Sequence, residues 1–489
     1  MLFQSKLLRI FNSNNSKKYI LMIKQMLIVF SVLLLFFSCR AQSTDNKKTI
    51  IGVNTLSEFK KYLDQDNVNV KLKEGNYQID SAEKIRFIEI TGNDSYFDMR
   101  GARFMVDTKL FSRPDLIKSD DGNSMYCAIE ISGKNVTLEG LYIETYGDTP
   151  GRQSKNKIFN LVGENVTLKD VEVRTTGSSP WGYGYLYGLG GNDVRKMNGI
   201  RIGYPAKNVK LLGCKVHMRA MGHAIFLQGA ENTLIENCQV DGLLRTTDAM
   251  LAETSGYGFD KKFYAGKGNY IEGTIVAEDG KILPGEIISL SEDGIRMYPE
   301  YNGHKTLNTT VKGCTVTQMR RGICTGLSTS GDKVIDCVVR DCVATGYNVG
   351  NEDTLINCSA DAKYGEAFCI PYTNAKNARV EMTILDSRNG MANDLLAKIN
   401  GTGHHVVIKT KAKEYIPDTM AIKLSVWEGY GNFNENAKMH ATYITLDNQT
   451  SAELIKFKGT EHLKVKSIGK VREATKSENV VNESNRTKR

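Results

Sequence analysis

The sequence predicts an all-β protein folded as a parallel β-helix, a solenoid in which every coil of the chain adds one strand to each sheet. Three observations support this fold class. A motif recurs every 20 to 25 residues, each repeat contains short strands with alternating apolar residues, and Asn or Asp marks the turn that opens most repeats. Prolines are also few, with eight in 489 residues. One long domain over residues 50–470 therefore accounts for most of the chain.

The repeats align on a motif that ends in cysteine. Its copies are NVKLLGC (208–214), NTLIENC (232–238), NTTVKGC (308–314), DKVIDC (332–337) and DTLINC (353–358). Related copies without the cysteine are NVTLEGLYIET (135–145), NVTLKDVEVRT (165–175), NYIEGTIV (269–276) and NARVEMTIL (377–385). The sequence has no C-x-x-C pair of the zinc-binding type. We therefore expect the cysteines to stack inside successive coils as small, buried thiols.

The ends of the domain have a different character. Residues 54–79 begin with a short amphipathic helix that places Leu56, Phe59 and Leu63 on one face. Such a helix would cover the open edge of the first coil. At the other end, residues 471–489 are polar, which predicts a disordered tail.

Residues 1–41 have the features of an export leader. Lysines precede an apolar run from Met26 to Phe37, which is too short for a membrane span. The residues that end in Cys39 resemble a bacterial lipobox, so we expect lipidation of Cys39 and an outer-membrane lipoprotein. Cleavage after Ala41 would instead give a periplasmic or secreted product.

The charge of the chain favours an acidic partner. Lys and Arg number 64 and Asp and Glu number 55, for a net charge of +9. Because an exported protein rarely meets nucleic acid, we expect no nucleic-acid partner. An anionic polysaccharide or oligosaccharide suits this mild positive excess better.

The capping helix, the GNY element (75–77), the N-x-x-x-x-x-C coils and the strands that begin Gly-Ile resemble the right-handed parallel β-helix superfamily of pectate-lyase-like proteins. The resemblance covers roughly residues 50 to 460. It implies a right-handed coil and a role in bacterial breakdown of an acidic plant or algal polysaccharide, such as ulvan or alginate. The superfamily includes lyases, hydrolases, epimerases and phage tailspikes, so the function must come from the site.

A second alignment of strands locates a candidate site. The strands are NGIRIGY (198–204), HAIFLQG (223–229), DAMLAET (248–254), DGIRMYP (293–299), RGICTGL (321–327), TGYNVGN (345–351) and EAFCIPY (366–372). Alternation in a strand then predicts two outward columns, one with Arg201, Arg296 and Asn348 and the next with Gln228, Glu253 and Tyr298. Arg201 and Arg296 would be three coils apart, or about 14 Å, which spans two or three sugar rings. The two arginines are expected to bind an anionic glycan.

His223 stands at the turn before its strand, in a column with charged and polar residues. Unpaired charge is costly inside a coil, so we expect this column to reach water. Lys215, His217 and Arg219 precede His223 in the same coil, and Asp248 and Arg201 lie in the neighbouring coils. A neutral imidazole beside cations would be a usable base. The alternative is a corner histidine that is hydrogen-bonded to the backbone.

Two insertions carry aromatic residues. Residues 175–193 contribute Trp181, Tyr183 and Tyr185 on a glycine-rich loop, and residues 252–268 contribute four more aromatic residues together with Lys261 and Lys262. Aromatic rings stack on the C–H faces of sugars, so both insertions are expected to form the walls of a groove. Packing of these rings against the solenoid is the alternative.

These residues suit β-elimination from a uronic acid. A base takes the proton on C5, a cation neutralises the carboxylate and an acid assists departure of the oxygen on C4. His223 is the expected base, Arg201 or Arg296 the neutralising group and Tyr298 the acid. A glycosidic leaving oxygen would make the protein a lyase, and a free hydroxyl would make it a dehydratase. The expected substrate-binding residues are Trp181, Tyr183, Tyr185, Arg219, Lys215, Gln228 and Asn348.

Other activities stay open on sequence alone. Asp248, Glu253 and Asp293 could hold calcium, although no calcium motif is present and no cofactor is required by the pattern. With Glu292 they are also carboxylates that a glycoside hydrolase could use. A surface lipoprotein that binds glycans without catalysis would keep the aromatic residues and arginines while tolerating loss of His223 and Tyr298.

Overall fold

The computed structural model describes residues 49–112, 126–149, 155–188, 194–266, 275–277, 279–326, 331–388, 393–411, 415–426 and 438–479. The chain from Ile50 onward forms one compact unit. The predicted leader, residues 1–41 with Cys39, lies outside the described residues. Among the described residues, no helix has the length and apolar character needed to cross a membrane.

One face of the molecule is a 13-stranded parallel sheet. Its strands are Arg86–Ile90, Cys127–Ile131, Asn156–Leu161, Met197–Gly203, Ile225–Gln228, Asp293–Tyr298, Arg321–Cys324, Thr345–Asn348, Glu366–Ile370, Leu395–Ile399, Ala421–Leu424, Glu453–Lys456 and Val471–Glu473. Each strand pairs in parallel with the strand of the next coil. Successive coils therefore present equivalent residues in columns along this face.

A 22-stranded sheet forms the rest of the solenoid wall and consists of two parallel ladders that merge. The first contains Ile51–Val53, Asn69–Leu72, Tyr96–Asp98, Thr137–Glu139, Thr167–Lys169, Lys210–Leu212, Leu234–Glu236, Thr310–Lys312 and Lys333–Ile335. The second contains Gly75–Ile79, Ala102–Asp107, Tyr142–Tyr146, Glu172–Thr175, Lys215–Met218, Gln239–Asp241, Thr315–Thr317 and Val338–Arg340. Both continue into Thr354–Ala360, Arg379–Ile384, His405–Thr410, Thr445–Asn448 and Lys464–Ser467. This pattern confirms the predicted parallel β-helix.

Shorter elements decorate the coils. Helices span Leu56–Lys60, Tyr185–Gly188, Thr247–Leu251 and Tyr257–Asp260, and a 3-10 helix spans Thr108–Ser112. Two antiparallel pairs join Leu244–Thr246 to Ile287–Ser289 and Glu300–Tyr301 to His304–Lys305. A small parallel sheet contains Gly401–Thr402, Ala441–Thr442 and Thr460–Glu461.

The regular spacing of the cysteine motif has a structural cause in two ladders, one of buried cysteines and one of asparagines at a turn on the surface. The motif cysteines Cys214, Cys238, Cys314, Cys337 and Cys358 are free and buried, as predicted. Their thiols face backbone carbonyls of the core; that of Cys314, for example, lies 3.5 Å from the Ile235 carbonyl. A small apolar side chain at this position leaves room for the neighbouring coils to stack.

The asparagine that opens most copies of the motif forms the second ladder. Asn135, Asn165, Asn208, Asn232 and Asn308 have φ values of 55 to 57°. This left-handed conformation is one that Asn adopts more readily than most residues. The Asn208 amide donates to Asn165 at 3.0 Å and accepts from Asn232 at 3.2 Å. The turn therefore selects Asn both for its backbone conformation and for its side-chain hydrogen bonds.

Of the two ends of the solenoid, the C-terminal one differs from the expectation. The helix Leu56–Lys60 is present, with Thr55 as its N-cap, and Phe59 packs against Phe97 of the first coils at 5.6 Å between ring centroids. At the other end, the strand Val471–Glu473 pairs with Glu453–Lys456. The sheet thus continues past residue 470, and residues 480–489 of the predicted tail lie outside the described residues.

One predicted coil is wrong. Residues 248–254 do not form a strand, because Thr247–Leu251 is a helix capped by the Thr246 side chain. The strand Ile225–Gln228 pairs directly with Asp293–Tyr298, so residues 242–292 are a single insertion between adjacent coils. Most of NYIEGTIV (269–276), the copy predicted there, lies outside the described residues. Arg201 and Arg296 are consequently two coils apart, about 10 Å, and not three.

We predict that Asn208→Ala lowers the free energy of unfolding by about 2 kcal/mol, since alanine loses the ladder hydrogen bonds and is strained at positive φ. Asn208→Gly is the matched control, because glycine tolerates this φ and loses only the side-chain bonds. Urea unfolding followed by circular dichroism measures both variants. Equal loss in the two would contradict the backbone contribution.

Candidate active site

The predicted outward columns are present on the 13-stranded sheet. Arg201, Phe226, Arg296, Cys324, Asn348 and Cys369 are register partners in consecutive coils. In the next outward column, Gln228 is the partner of Gly203 and Tyr298. Glu253, expected in that column, lies instead in the insertion, where it accepts hydrogen bonds from Arg245 at 2.6 Å and Tyr183 at 2.8 Å.

The backbone before its strand sets the position of His223. Gly222 has a φ of +148°, and a β-carbon there would lie 2.7 Å from the Met197 carbonyl oxygen. A larger residue would therefore push this turn away from the preceding coil. The backbone N–H of His223 donates to the Asn198 side chain at 2.8 Å, which fixes the start of the strand.

His223 contacts Tyr298 directly. The His223 Nε2 atom lies 2.9 Å from the Tyr298 hydroxyl, and the rings meet edge to face at 5.8 Å between centroids. His223 is 7% exposed, whereas Tyr298 is partly exposed. Tyr298 is therefore the member of the pair that a ligand on the sheet face can touch.

Two carboxylates complete the surroundings of the imidazole. Glu292 Oε2 lies 3.4 Å from Nε2, and Asp293 Oδ2 lies 3.6 Å from Nδ1. The backbone N–H of Asp293 also donates to Nδ1 at 3.4 Å. Each ring nitrogen thus has a partner whether or not it carries the proton. The ring can donate to Tyr298 as one tautomer and accept from it as the other without moving.

Basic side chains hold both carboxylates in their charged form. Lys196 contacts Glu292 at 2.6 Å. Asp293 lies 2.5 Å from Arg296 and 3.0 Å from Arg320, and it is the register partner of Arg321. Both buried carboxylates are thus paired with basic side chains that are themselves largely buried.

The pKa values follow from burial and from these pairs. Burial opposes ionisation of Glu292, but the charges around it, with Lys196 foremost, outweigh burial and lower its pKa to about 2. Burial likewise opposes ionisation of Asp293, yet Arg320 and Arg296 hold its pKa well below the ordinary value. For His223 burial dominates over the nearby carboxylates and lowers the pKa to about 4. The imidazole is therefore neutral near pH 7. The expectation that its column reaches water is wrong, because His223, Asn198 and Asp293 are all buried.

Arg296 shares the accessible part of the site with Tyr298. Its side chain is 14% exposed, and its guanidinium carbon lies 4.4 Å from the centre of the Tyr298 ring. Phe226 is 5.6 Å from His223 and 6.4 Å from Tyr298 between ring centroids. The partly exposed Arg296 guanidinium and the Tyr298 phenol therefore lie side by side, with the Phe226 ring next to Tyr298.

Arg201 does not occupy the role expected for it. Only 2% of the residue is exposed, and its guanidinium donates to Asn160 and Gln228, both at 2.8 Å. The guanidinium lies over Gly203, where a β-carbon would be 2.2 Å from its central carbon, and the Tyr301 ring covers it at 4.7 Å. Arg201 is thus covered by Tyr301, and its role is to hold the Gln228 side chain in place on the sheet surface.

That cover is a hairpin formed by Glu300–Tyr301 and His304–Lys305. Besides placing Tyr301 over Arg201, it stacks His304 on Tyr204 with 3.4 Å between ring centroids. Both rings of this pair are exposed. The hairpin therefore forms one rim of the site, on the side where the strands of the 13-stranded sheet end.

The tyrosines of the first insertion are not on the surface. Tyr183 and Tyr185 are buried in a second, smaller core that joins the two insertions. Its other members are Leu186, Tyr187, Val194, Met221, Met250, Ile275, Ile282, Ile288 and Leu290. The packing alternative is therefore correct for these two tyrosines, and only Trp181 of the predicted set presents an exposed ring.

Lys215 and Arg219 lie away from His223 despite their closeness in sequence. Lys215 is exposed on the strand Lys215–Met218 of the other sheet. Arg219 contacts Asp241 at 2.5 Å and donates to backbone carbonyls there. The chain turns a corner between Arg219 and His223, so residues close in sequence face different sides of the coil. Asn348 stays in the outward column but is 4% exposed, which leaves it little contact with a ligand.

The carboxylates named for calcium are separated by their partners. Asp248 accepts from the Gly285 N–H at 3.0 Å, Glu253 pairs with Arg245, and Asp293 pairs with arginines. Within the described residues, no group of three or more His, Cys, Asp or Glu side chains could hold a metal ion. These three residues therefore do not fit a calcium site.

Two ion-pair partners of the site, Lys196 and Arg320, were not identified from the sequence. Lys196, Arg320 and Glu292 each stand just before a strand of the 13-stranded sheet, and Arg321 and Asp293 are the first residues of theirs. Opposite charges at matching positions of successive repeats are the signal that could have identified these pairs.

No family model matches the chain, and no curated protein is significantly similar in sequence. Among solved structures, the chain is similar to a PL6 alginate lyase in complex with a trisaccharide, with a TM-score of 0.44 and 12% identity over 88% of this chain and 87% of that one. It is similar to pectate lyase Pel9A, with a TM-score of 0.39 and 10% identity over 80% and 82%.

A GH87 α-1,3-glucanase catalytic domain in complex with tetrasaccharides has a TM-score of 0.40 and 8% identity over 89% of this chain and 68% of that one. These identities are too low to transfer an activity, and lyases and a glucanase stand side by side among the similar structures. The assignment of the fold rests on the strand ladders of this chain.

We predict that His223 makes the free energy of unfolding fall as the pH drops from 6.5 towards 4, against the opposite contributions of Asp353 and Asp361, whose pKa values burial raises to about 6. In this window the unfolded chain protonates His223, whose pKa in the folded protein is about 4, so one proton drives unfolding at about 1.4 kcal/mol per pH unit. His223→Gln should reduce the slope of unfolding free energy against pH. His405→Gln, at an exposed histidine, is the control that should leave it unchanged. An unaltered slope in His223→Gln would contradict the burial of a neutral imidazole.

Proposed function

We propose that this protein is a carbohydrate-active enzyme that catalyses β-elimination on uronic-acid-containing polysaccharides or oligosaccharides. The observation that carries the proposal is the contact of a buried, neutral His223 with a partly exposed Tyr298, next to the accessible guanidinium of Arg296. Elimination needs a group that exchanges protons and a cation for the carboxylate, and this arrangement supplies both within one face.

Arg296 binds the carboxylate of the uronic acid. Removal of the C5 proton places negative charge on that carboxylate, and a guanidinium stabilises this charge through hydrogen bonds to its oxygens. The partly exposed Tyr298 ring supplies the aromatic surface on which the sugar ring rests, and the buried Phe226 packs against it.

Tyr298 exchanges the protons, and His223 acts through it. The Tyr298 oxygen takes the C5 proton while its own proton moves to Nε2 of His223. Glu292 and Asp293 stabilise the imidazolium that forms, as a carboxylate does in other histidine relays. The C4–O bond then breaks, a C4–C5 double bond forms, and Tyr298 returns a proton to the leaving oxygen while His223 restores the phenol. The sequence-based roles are thereby changed, since His223 is too buried to touch C5 itself.

Two observations weigh against glycoside hydrolysis. That reaction needs one carboxyl group that is protonated near neutral pH. Glu292 and Asp293 are ion-paired with lowered pKa values, so neither is a ready proton donor. Glu253 is held by Arg245 in the insertion. A purely binding role does not account for the contact between the buried His223 and Tyr298.

An ultraviolet absorbance assay with mass spectrometry tests the proposal on polygalacturonate, alginate, ulvan and their oligosaccharides. A new conjugated double bond with chain shortening identifies a lyase, and the same bond with loss of one water at constant length identifies a dehydratase. Hydrolysis or binding without a double bond on every substrate would refute elimination.

We predict that Tyr298→Phe lowers the elimination rate at least about 100-fold, because the phenol exchanges both protons. Tyr264→Phe, at an exposed tyrosine of the insertion, is the matched control and should keep the native rate. A fully active Tyr298→Phe enzyme would exclude the proposed role of Tyr298.

We also propose that the protein is exported and lipidated at Cys39, which the leader sequence supports. Labelled palmitate should enter the native protein expressed in a bacterial host with lipoprotein processing, and not Cys39→Ala. Label in both variants, or in neither, would contradict lipidation at this residue.

A further inference from the structure

A concave surface beside Trp181 is separate from the site around Tyr298. The cavity has a volume of about 410 Å³, and its lining includes Asp148, Arg174, Ser178, Trp181 and Arg219. None of these residues belongs to the cluster around His223. Between the two lies the turn 220–222, whose Ala220 and Met221 are buried.

The Trp181 ring is 37% exposed even though the loop that carries it is tied down at several points. Ser178 binds the backbone of Met221 through its hydroxyl, which accepts from the Met221 N–H at 2.6 Å. The Ser179 carbonyl accepts from the Arg195 N–H at 3.0 Å, and the Gly182 carbonyl accepts from Arg245 at 2.9 Å. A large apolar ring is thereby fixed at the surface of a cavity, which reduces the entropy lost when a ligand binds.

Two arginines lie on the other side of the cavity. Arg174 is exposed on the strand Glu172–Thr175, with its Nε 3.3 Å from Glu144. Arg219 is held flat against the coil by Asp241 and three backbone carbonyls. Asp148, also in the lining, opposes an anion. The strand positions of Arg174 and Arg219 follow from the same in-register stacking that forms the solenoid.

We propose that this cavity is a second saccharide-binding site, in which a uronic-acid ring of the polymer stacks on Trp181 and its carboxylate faces Arg174. The choice of ligand rests on the proposed function. A pyranose ring matches an aromatic face, and an exposed guanidinium favours an acidic sugar over a neutral one. A polymer held here and at Tyr298 at once gains affinity by avidity, whereas a short oligosaccharide does not.

Tryptophan fluorescence tests binding apart from catalysis. The chain has two tryptophans, so Trp427→Phe leaves Trp181 as the only reporter. Titration of this variant with polygalacturonate, alginate and ulvan should change the fluorescence for at least one polymer. No change with any polymer overturns the proposal. A fluorescence change in a protein that forms no double bond would refute the proposed elimination and leave the binding site standing.

Variants then separate the second site from the active site. For the polymer that binds, Trp181→Ala should weaken retention on a polymer gel about 10-fold, with unchanged turnover of its tetrasaccharide. Arg174→Gln should weaken retention less, and high salt should remove the difference from the native protein. Phe259→Ala, at another exposed aromatic residue, is the control that should retain the native affinity.

Two outcomes would overturn the proposal. Native polymer retention in Trp181→Ala would exclude the site. An equal loss of tetrasaccharide turnover would place Trp181 in the catalytic site instead. Circular dichroism and the unfolding midpoint confirm that each variant is folded, and Trp181→Phe, which keeps an aromatic face, should recover part of the retention.

Discussion

The in-register stacking of coils is the constraint on which the rest of the structure depends. Because each strand of the 13-stranded sheet pairs with its equivalent in the next coil, residues far apart in sequence stand about 4.8 Å apart in a column. Phe226 and Arg296 are 70 residues apart and are register partners. The asparagine ladder and the buried cysteines maintain this stacking. Without this stacking, Phe226 and Arg296 would not lie side by side in the candidate site.

Besides the regular sheet face, the site contains buried charged side chains, which are ordinarily excluded from the interior of a coil. Glu292 and Asp293 are nearly fully buried beside His223, and only their pairing with Lys196, Arg296 and Arg320 makes their charge tolerable. Removing one partner would leave an uncompensated charge. The same pairing keeps the carboxylates ionised, which prepares them to stabilise a positive charge on the imidazole.

The repeated coils could be predicted from the sequence, whereas the insertions and the burial of individual side chains mostly could not. Alternation and the Asn and Cys positions were enough to place Arg201, Phe226 and Arg296 in one outward column, because these features repeat with one period. The same alignment wrongly put a coil between the strands that follow His223 and contain Tyr298, which pair directly. The insertion 242–292 has no such repeat period, so Asp248 and Glu253 were wrongly assigned to a coil. Side-chain burial was also beyond the pattern. Whether Arg201 faces a ligand depends on Tyr301 of a hairpin 100 residues later.

Burial also divides the aromatic residues of the first insertion in a way that sequence could not. Trp181 and Tyr183 are two residues apart on one glycine-rich loop, yet Trp181 is exposed and Tyr183 packs against Tyr187 and Tyr257. The difference arises from the second insertion, which supplies Tyr257 and Glu253 as partners for Tyr183. The contact with the second insertion, which is distant in sequence, therefore decides that Tyr183 is buried while Trp181 stays exposed.

The central claim is that a uronic acid binds on the sheet face between Arg296 and Tyr298. A crystal structure of Tyr298→Phe with a bound uronate oligosaccharide tests this claim most directly. We expect the carboxylate of one sugar on the Arg296 guanidinium and its C5–H directed at the ring of residue 298. A sugar bound on this face with its carboxylate away from Arg296, or bound only elsewhere on the protein, would contradict the account.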